Sequence, residues 1–103
     1  MQIVDISYNT QLGDKSILRE FIQLLFKNHK DSLTQILMIQ VLNYSNSPEI
    51  AEMLYDYANR LENLAVFDFS ESELEPDVLA NLIVNLSFAA PSLKSVNLSG
   101  RQE

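Results

Sequence analysis

The sequence predicts an α/β chain of parallel strands alternating with helices, in the order β-α-β-α-β-α-β, stacked as a short solenoid. Three observations predict it. Four short segments align with one another, the stretches between them carry helical spacing, and the helix starts are marked by capping residues and prolines. Self-similarity of this kind marks a stack of supersecondary units, each burying its apolar side on its neighbours.

The aligned segments are Met1–Ser7, Ile39–Ser45, Leu64–Ser70 and Leu93–Ser99, each reading apolar-x-x-apolar-(Asp/Asn)-apolar-Ser. The apolar columns are Met1/Ile39/Leu64/Leu93, Val4/Leu42/Phe67/Val96 and Ile6/Tyr44/Phe69/Leu98. Apolar residues alternate with a polar one, and β-branched and aromatic types are common, so each segment reads as a strand. The starts at 1, 39, 64 and 93 are 38, 25 and 29 residues apart. The long first interval is read as an insertion around Lys30 to Leu37. A second register, starting at Leu33, competes with it but loses the Asn-Tyr-Ser match. The units are therefore placed at about 1–38, 39–63 and 64–92, with a partial one at 93–103, in a single domain spanning 1–103.

Between the strands, spacings of three and four predict helices. Residues 16–29 carry Ile17, Leu18, Phe21, Leu24 and Leu25 on one face. Residues 48–61 carry Ile50, Met53, Leu54, Tyr57 and Leu61, and residues 76–88 carry Leu79, Leu82, Ile83 and Leu86. Asp14 or Ser16 is suited to cap the first helix, and Ser47 before Pro48 suits an N-cap followed by proline at the first helical position. Glu75-Pro76-Asp77 opens the third with acids that complement the helix dipole, and Pro91 stops it before Leu93. Same-direction strands joined by crossover helices form a parallel sheet.

Composition narrows the function. The 103 residues are 47% hydrophobic, with two Gly and three Pro, which fits one globular domain and not a disordered chain. No apolar run approaches a membrane span, and the start lacks the basic segment of a signal peptide. With no cysteine there is no disulfide, thiolate metal site or thiol nucleophile, which fits a reducing compartment. The net charge of −7 repels phosphate backbones and anionic lipid, so neither nucleic acid nor membrane is expected as a partner. A protein partner, a basic one included, is compatible with it.

The stretch Met1-x-x-Val4-x-Ile6-x-x-Asn9, continuing through Leu12-Gly13-Asp14 into the Ile17 helix, resembles the leucine-rich repeat signature, with Met at the first Leu. It is similar to the ribonuclease-inhibitor and Ran-GTPase-activator subclass. Leu64-x-x-Phe67-x-Phe69-x-x-Ser72-x-Leu74 follows the same pattern with Ser at the Asn position, where Ser47 and Arg101 stand in the other two units. The resemblance implies a solenoid that binds a protein partner on its concave strand face, with no chemistry of its own. The alternative is an unrelated βα-repeat fold.

Strand alternation puts the partner-facing rows at Ile3, Asp5, Ser7; Val41, Asn43, Ser45; Val66, Asp68, Ser70; and Ser95, Asn97, Ser99. The candidate binding residues are thus Asp5, Ser7, Asn43, Ser45, Asp68, Ser70, Asn97 and Ser99, forming a polar, mildly acidic surface. The rival reading of the same residues is turn chemistry at strand ends.

Other groups are weaker. Asp68, Glu71, Glu73, Glu75 and Asp77 crowd five acids into ten residues, suited to a basic partner or a weak Ca²⁺ site but without an EF-hand's central Gly. A solvated loop with helix-start acids is the simpler reading. Glu49, Glu52 and Asp56 share a helix face, but no His or nucleophile accompanies them. The single histidine, His29, sits in Lys27-Asn28-His29-Lys30 at a helix end, where positive charge complements the dipole. No metal motif, phosphate-binding Gly loop or Gly-x-Ser-x-Gly elbow occurs. The expectation is a non-catalytic interaction module without metal or cofactor, working in the cytoplasm of its own cell or of a host. The alternatives are a regulator of an enzyme, such as a GTPase-activating repeat protein, and a piece of a longer repeat protein. Neither end carries a polar cap, so self-association through the end strands is also expected.

Overall fold

The computed structural model describes residues 2–57 and 60–98. Four strands, β1 (Ile3–Asp5), β2 (Gln35–Leu37), β3 (Val66–Asp68) and β4 (Ser95–Asn97), form one parallel sheet in the order β1-β2-β3-β4. Helices α1 (Lys15–His29), α2 (Ser47–Asp56) and α3 (Pro76–Ala89) alternate with them, and a single 3-10 turn at Thr10–Gly13 precedes α1. Among the described residues no helix is long and apolar enough to cross a membrane.

The second strand corrects the sequence reading. It lies at Gln35–Leu37, not within 39–45, so the register starting at Leu33 is the one adopted. The first residues of the strands, 3, 35, 66 and 95, are 32, 31 and 29 apart, and no insertion is needed. Burial explains the choice. Leu33, Ile36 and Met38 are each fully buried, as are their equivalents Leu64, Phe67 and Phe69. The 39–45 register would instead place Tyr44, which is exposed, in a core column. The Asp/Asn-x-Ser match is real but local. Asp5, Asn43 and Asp68 each accept the backbone N–H of the serine two residues on, at 2.8–3.0 Å. At Asp5 and Asp68 this turn closes a strand, and at Asn43 it leads into α2.

Backbone details recur at matched positions. Gln2 O accepts from the N–H groups of Thr34 and Gln35, Thr34 O from Ala65 and Val66, and Ala65 O from Lys94 and Ser95. Tyr8, Gln40 and Glu71, each the fifth residue after the first of its strand, have φ of 61°, 61° and 57°. A left-handed turn built three times on side chains that disfavour it is tolerated because the flanking ladder fixes it.

Asp14 caps α1, its Oδ1 accepting from Ser16 and Ile17 N–H. α1 is rotated from the face expected: Leu18, Ile22, Leu25 and Phe26 are buried, while Ile17 and Leu24 are exposed. α2 ends at Asp56, earlier than expected. The chain then turns so that Leu61 is buried and Tyr57 meets Phe26 edge-on at 4.9 Å.

Ser47 is not the cap of α2. The N-cap is Asn46, whose side chain turns inward, and Ser47 is the first helical residue. Asn46 is fully buried. Its amide donates to Leu12 O (3.2 Å) and Val41 O (3.0 Å), and its Oδ1 accepts from Asn43 N–H (2.8 Å). The Asn43 amide donates to Gly13 O at 3.1 Å, so two asparagines tie the loop after β1 to the loop after β2. Ser47 is buried with no hydrogen-bond partner for its hydroxyl among the described residues. Ser47→Ala is therefore expected to leave stability unchanged or raise it by up to about 1 kcal/mol, since it removes only an unpaired polar atom. Urea denaturation reads the change, and a clear loss would mean that the hydroxyl is bonded.

Candidate protein-interaction face

The strand burial patterns define an open face. Val4, Ile36 and Phe67 are buried and Val96 half-buried on the helix side. The flanking residues point away from it, and their register aligns them in two rows. Ile3, Gln35, Val66 and Ser95 form one, and Asp5, Leu37, Asp68 and Asn97 the other. Ile3, Asp5, Ser95 and Asn97 are exposed and the middle four half-exposed. Parallel sheets are ordinarily covered on both faces. Here the three helices pack on one side, and among the described residues nothing covers the other face of the sheet.

Asp5, Asp68 and Asn97 lie in one row, as expected from the sequence. Ser7 and Ser70 follow their strands in the closing turns. Asn43 and Ser45 are not on this face: they stand in the loop before α2, because β2 lies upstream of them. Ser99 is outside the described residues. Gln35 and Leu37 occupy the positions assigned to Val41 and Asn43. The column Leu33/Ile36/Met38 is the signal that locates them.

Side chains along the row are held by short-range bonds. The Ser7 backbone N–H, 3.0 Å from Asp5 Oδ1, together with the Ser7 hydroxyl, holds the Asp5 carboxyl below the usual carboxylate range. Ser7 Oγ in turn accepts from Ile39 N–H of the adjoining strand end. Asp68 Oδ1 accepts from Ser70 N–H (2.9 Å) and Ser70 Oγ (2.6 Å), and Asp68 Oδ2 receives the Asn97 amide at 3.4 Å. With neighbouring strands roughly 4.8 Å apart, the two aspartates stand about 10 Å apart with Leu37 between them. Such a surface offers fixed acceptors and an apolar centre.

The remaining candidates disperse. Among the described residues no three of His, Cys, Asp and Glu come together as a metal site, so the acidic run 68–77 forms no such cluster. Glu49 pairs with Arg19 at 3.4 Å, while Glu52 and Asp56 are exposed on the same helix. The Asn9 side chain accepts from Gln11 N–H within its own turn, and the buried Ser72 hydroxyl donates to Phe69 O. The amides that join neighbouring loops are those of Asn43 and Asn46, neither of them at the signature's Asn position. On the helix side, Lys27, Lys30 and Arg60 border an open groove floored by Leu24 and Tyr57. No family model matches the chain, and no characterised protein or solved structure matches it.

Proposed function

We propose that the chain is a non-catalytic module of the leucine-rich-repeat type, a short solenoid that docks a protein partner on the open face of its sheet. The observation that carries this reading is the uncovered parallel sheet, whose outward rows mix acceptors with apolar side chains. The repeat reading is supported by the matched backbone bonds and the left-handed residues at Tyr8, Gln40 and Glu71. The partner segment that fits presents basic groups toward Asp5 and Asp68, with a small apolar side chain over Leu37.

Peptides selected from a random display library on the folded protein test this. Selected binders should carry Lys or Arg beside apolar residues. Their affinity should fall at least tenfold when Asp5→Lys and Leu37→Lys are combined. The pair reverses a rim charge and sets a second charge where an apolar side chain would seat. Glu52→Lys, which changes charge equally on an exposed helix position, should leave it unchanged. Binders that survive the double substitution and shift amide resonances only on α1 or α2 would place docking on the helices instead.

A further inference from the structure

α3 is apolar over more of its surface than the core uses. Asn85 donates to Ala51 O of α2 at 2.8 Å, which marks the flank of α3 that meets α2. Successive residues of a helix are turned by about 100°. Leu82 and Leu86 therefore face the sheet, where they are fully buried, and Ile83 lies on the flank away from α2. Ala80, Val84 and Phe88 fall between the two flanks and point outward. A helix with one side in solvent ordinarily gives that side to polar residues. Here an apolar row runs along it for about 12 Å. Val84 is 64% and Phe88 51% exposed, and Ala80 is exposed as well. The row faces away from the sheet and from both flanks of its helix, so the strand edges take no part in it.

α2 extends the row with Tyr55, 63% exposed, whose ring stacks on that of Phe88 with centroids 6.1 Å apart. Contiguous exposed apolar surface of this kind marks an interaction site. Acids surround it. Glu52 lies one turn before Tyr55 on the same face of α2, Asp56 follows Tyr55, and Asp77 stands at the head of the outward row of α3, all three exposed. Neither helix carries a base, and residues 47–89 hold nine acids against Arg60 alone. Arg60 borders the groove against α1 with Lys27 and Lys30, and Lys94 stands at the foot of β4. Arg19 of α1 reaches α2, but it pairs with Glu49 at 3.4 Å. The helix ends add to the negative field. α1 has Lys27 and His29 in its last turn, whereas α2 and α3 have no base of their own there. The carbonyl ends beside the Tyr55–Phe88 pair thus keep their partial negative charge.

We infer that this strip docks a basic amphipathic helix of a protein partner. Exposed apolar residues recurring every four positions on α3 form a ridge, and a ridge seats in the groove of a facing helix. The apolar stripe of the incoming helix covers Val84 and Phe88. Its flanking Lys or Arg side chains meet Glu52, Asp56 and Asp77, and a cation beside the stripe packs on the Tyr55–Phe88 rings. The strip lies on the helix side of the molecule, opposite the strand rows, so this docking is independent of what seats on the sheet face.

The probe is a synthetic peptide of roughly 18 residues, long enough to be helical, with Leu on one face and Lys and Arg on the other. Its control is a peptide of the same composition, scrambled so that the apolar stripe is lost. The amphipathic peptide should bind, shift amide resonances of α3 and of the last turn of α2, and bind more weakly as salt rises. Combining Tyr55→Ser with Phe88→Ser should lower its affinity about tenfold or more. Combining Asp5→Lys with Leu37→Lys on the sheet face should leave it unchanged. Circular dichroism verifies that the variants are folded, and Val84→Glu replaces the aromatic pair if they are not. Equal binding of the scrambled peptide would mean attraction by charge alone and overturns the inference. So does a failure of the amphipathic peptide to bind, or binding that survives loss of the two rings. If that surviving binding is lost with Asp5→Lys and Leu37→Lys, the sheet face alone takes basic segments, and the reading of that face stands without this one.

Discussion

Asn46→Ala should destabilise the fold by about 3 kcal/mol, a large share of what a domain of this size possesses. The side chain has no exposed surface, and its amide and carbonyl meet Leu12 O, Val41 O and Asn43 N–H. Truncation strands these backbone groups in the interior, each at a cost of roughly 1–3 kcal/mol reduced where water can enter. Urea denaturation measures the loss, and a drop below about 1 kcal/mol would mean that the amide is replaceable. Asn46→Asp sharpens the test, because an ionised carboxylate accepts the Asn43 N–H but donates nothing to the two carbonyls. Burial beside those carbonyls raises the new carboxyl's folded pKa above its unfolded value. The protonated form is then favoured by folding. Stability is retained below the unfolded pKa of about 3.9 and lost progressively as pH rises through the raised folded value. The variant should therefore be less stable at neutral pH than at mildly acidic pH, whereas Asn46→Ala should show no such added dependence.

Strand–helix alternation is legible in this chain because burial and period act together. Each strand's core columns repeat at nearly even intervals, and two of the helices expose a single apolar stripe. What misleads is a motif whose physics is purely local. Asp or Asn followed two residues later by Ser closes a turn through one side-chain acceptor and one N–H, wherever the chain needs a turn. Asn43 makes the same bond as Asp5 and Asp68 while standing before a helix, and aligning on it displaces β2. Weighting the fully buried columns above the polar match selects Leu33. It also makes the intervals regular without an insertion.

The same logic separates the legible part of the candidate face from the rest. Asp5, Asp68 and Asn97 are found because their strands are correctly registered, whereas Gln35 and Leu37 are missed with β2. α1 illustrates a different limit. Apolar residues at 17, 18, 21, 22, 24, 25 and 26 cover so wide an arc that spacing alone does not fix which part faces the sheet. Packing decides it, burying Ile22 and Phe26 and leaving Ile17 and Leu24 in solvent. Asn46 is invisible to the repeat signature for a further reason. At the N-cap of α1, Asp14 bonds its own helix, and only at the N-cap of α2 does the side chain turn inward to reach the loop after β1.

Phe67→Ala should cost about 4 kcal/mol, and the contrast with Val96→Ala tests where the core ends. Phe67 is 1% exposed on β3, registered between Ile36 and Val96, and packs edge-on against Phe69 at 5.6 Å. Removing the ring from a site closed on both sides leaves a cavity that the neighbouring strands cannot fill, so the transfer and cavity costs add. Val96 occupies the same column one strand further out but is only half-buried. It loses two methyl groups from a surface already wetted, and in dilute solution its truncation should cost only about 1 kcal/mol. Equilibrium denaturation of both variants gives the ratio. Equal costs would mean that the β4 side is as enclosed as the centre of the sheet.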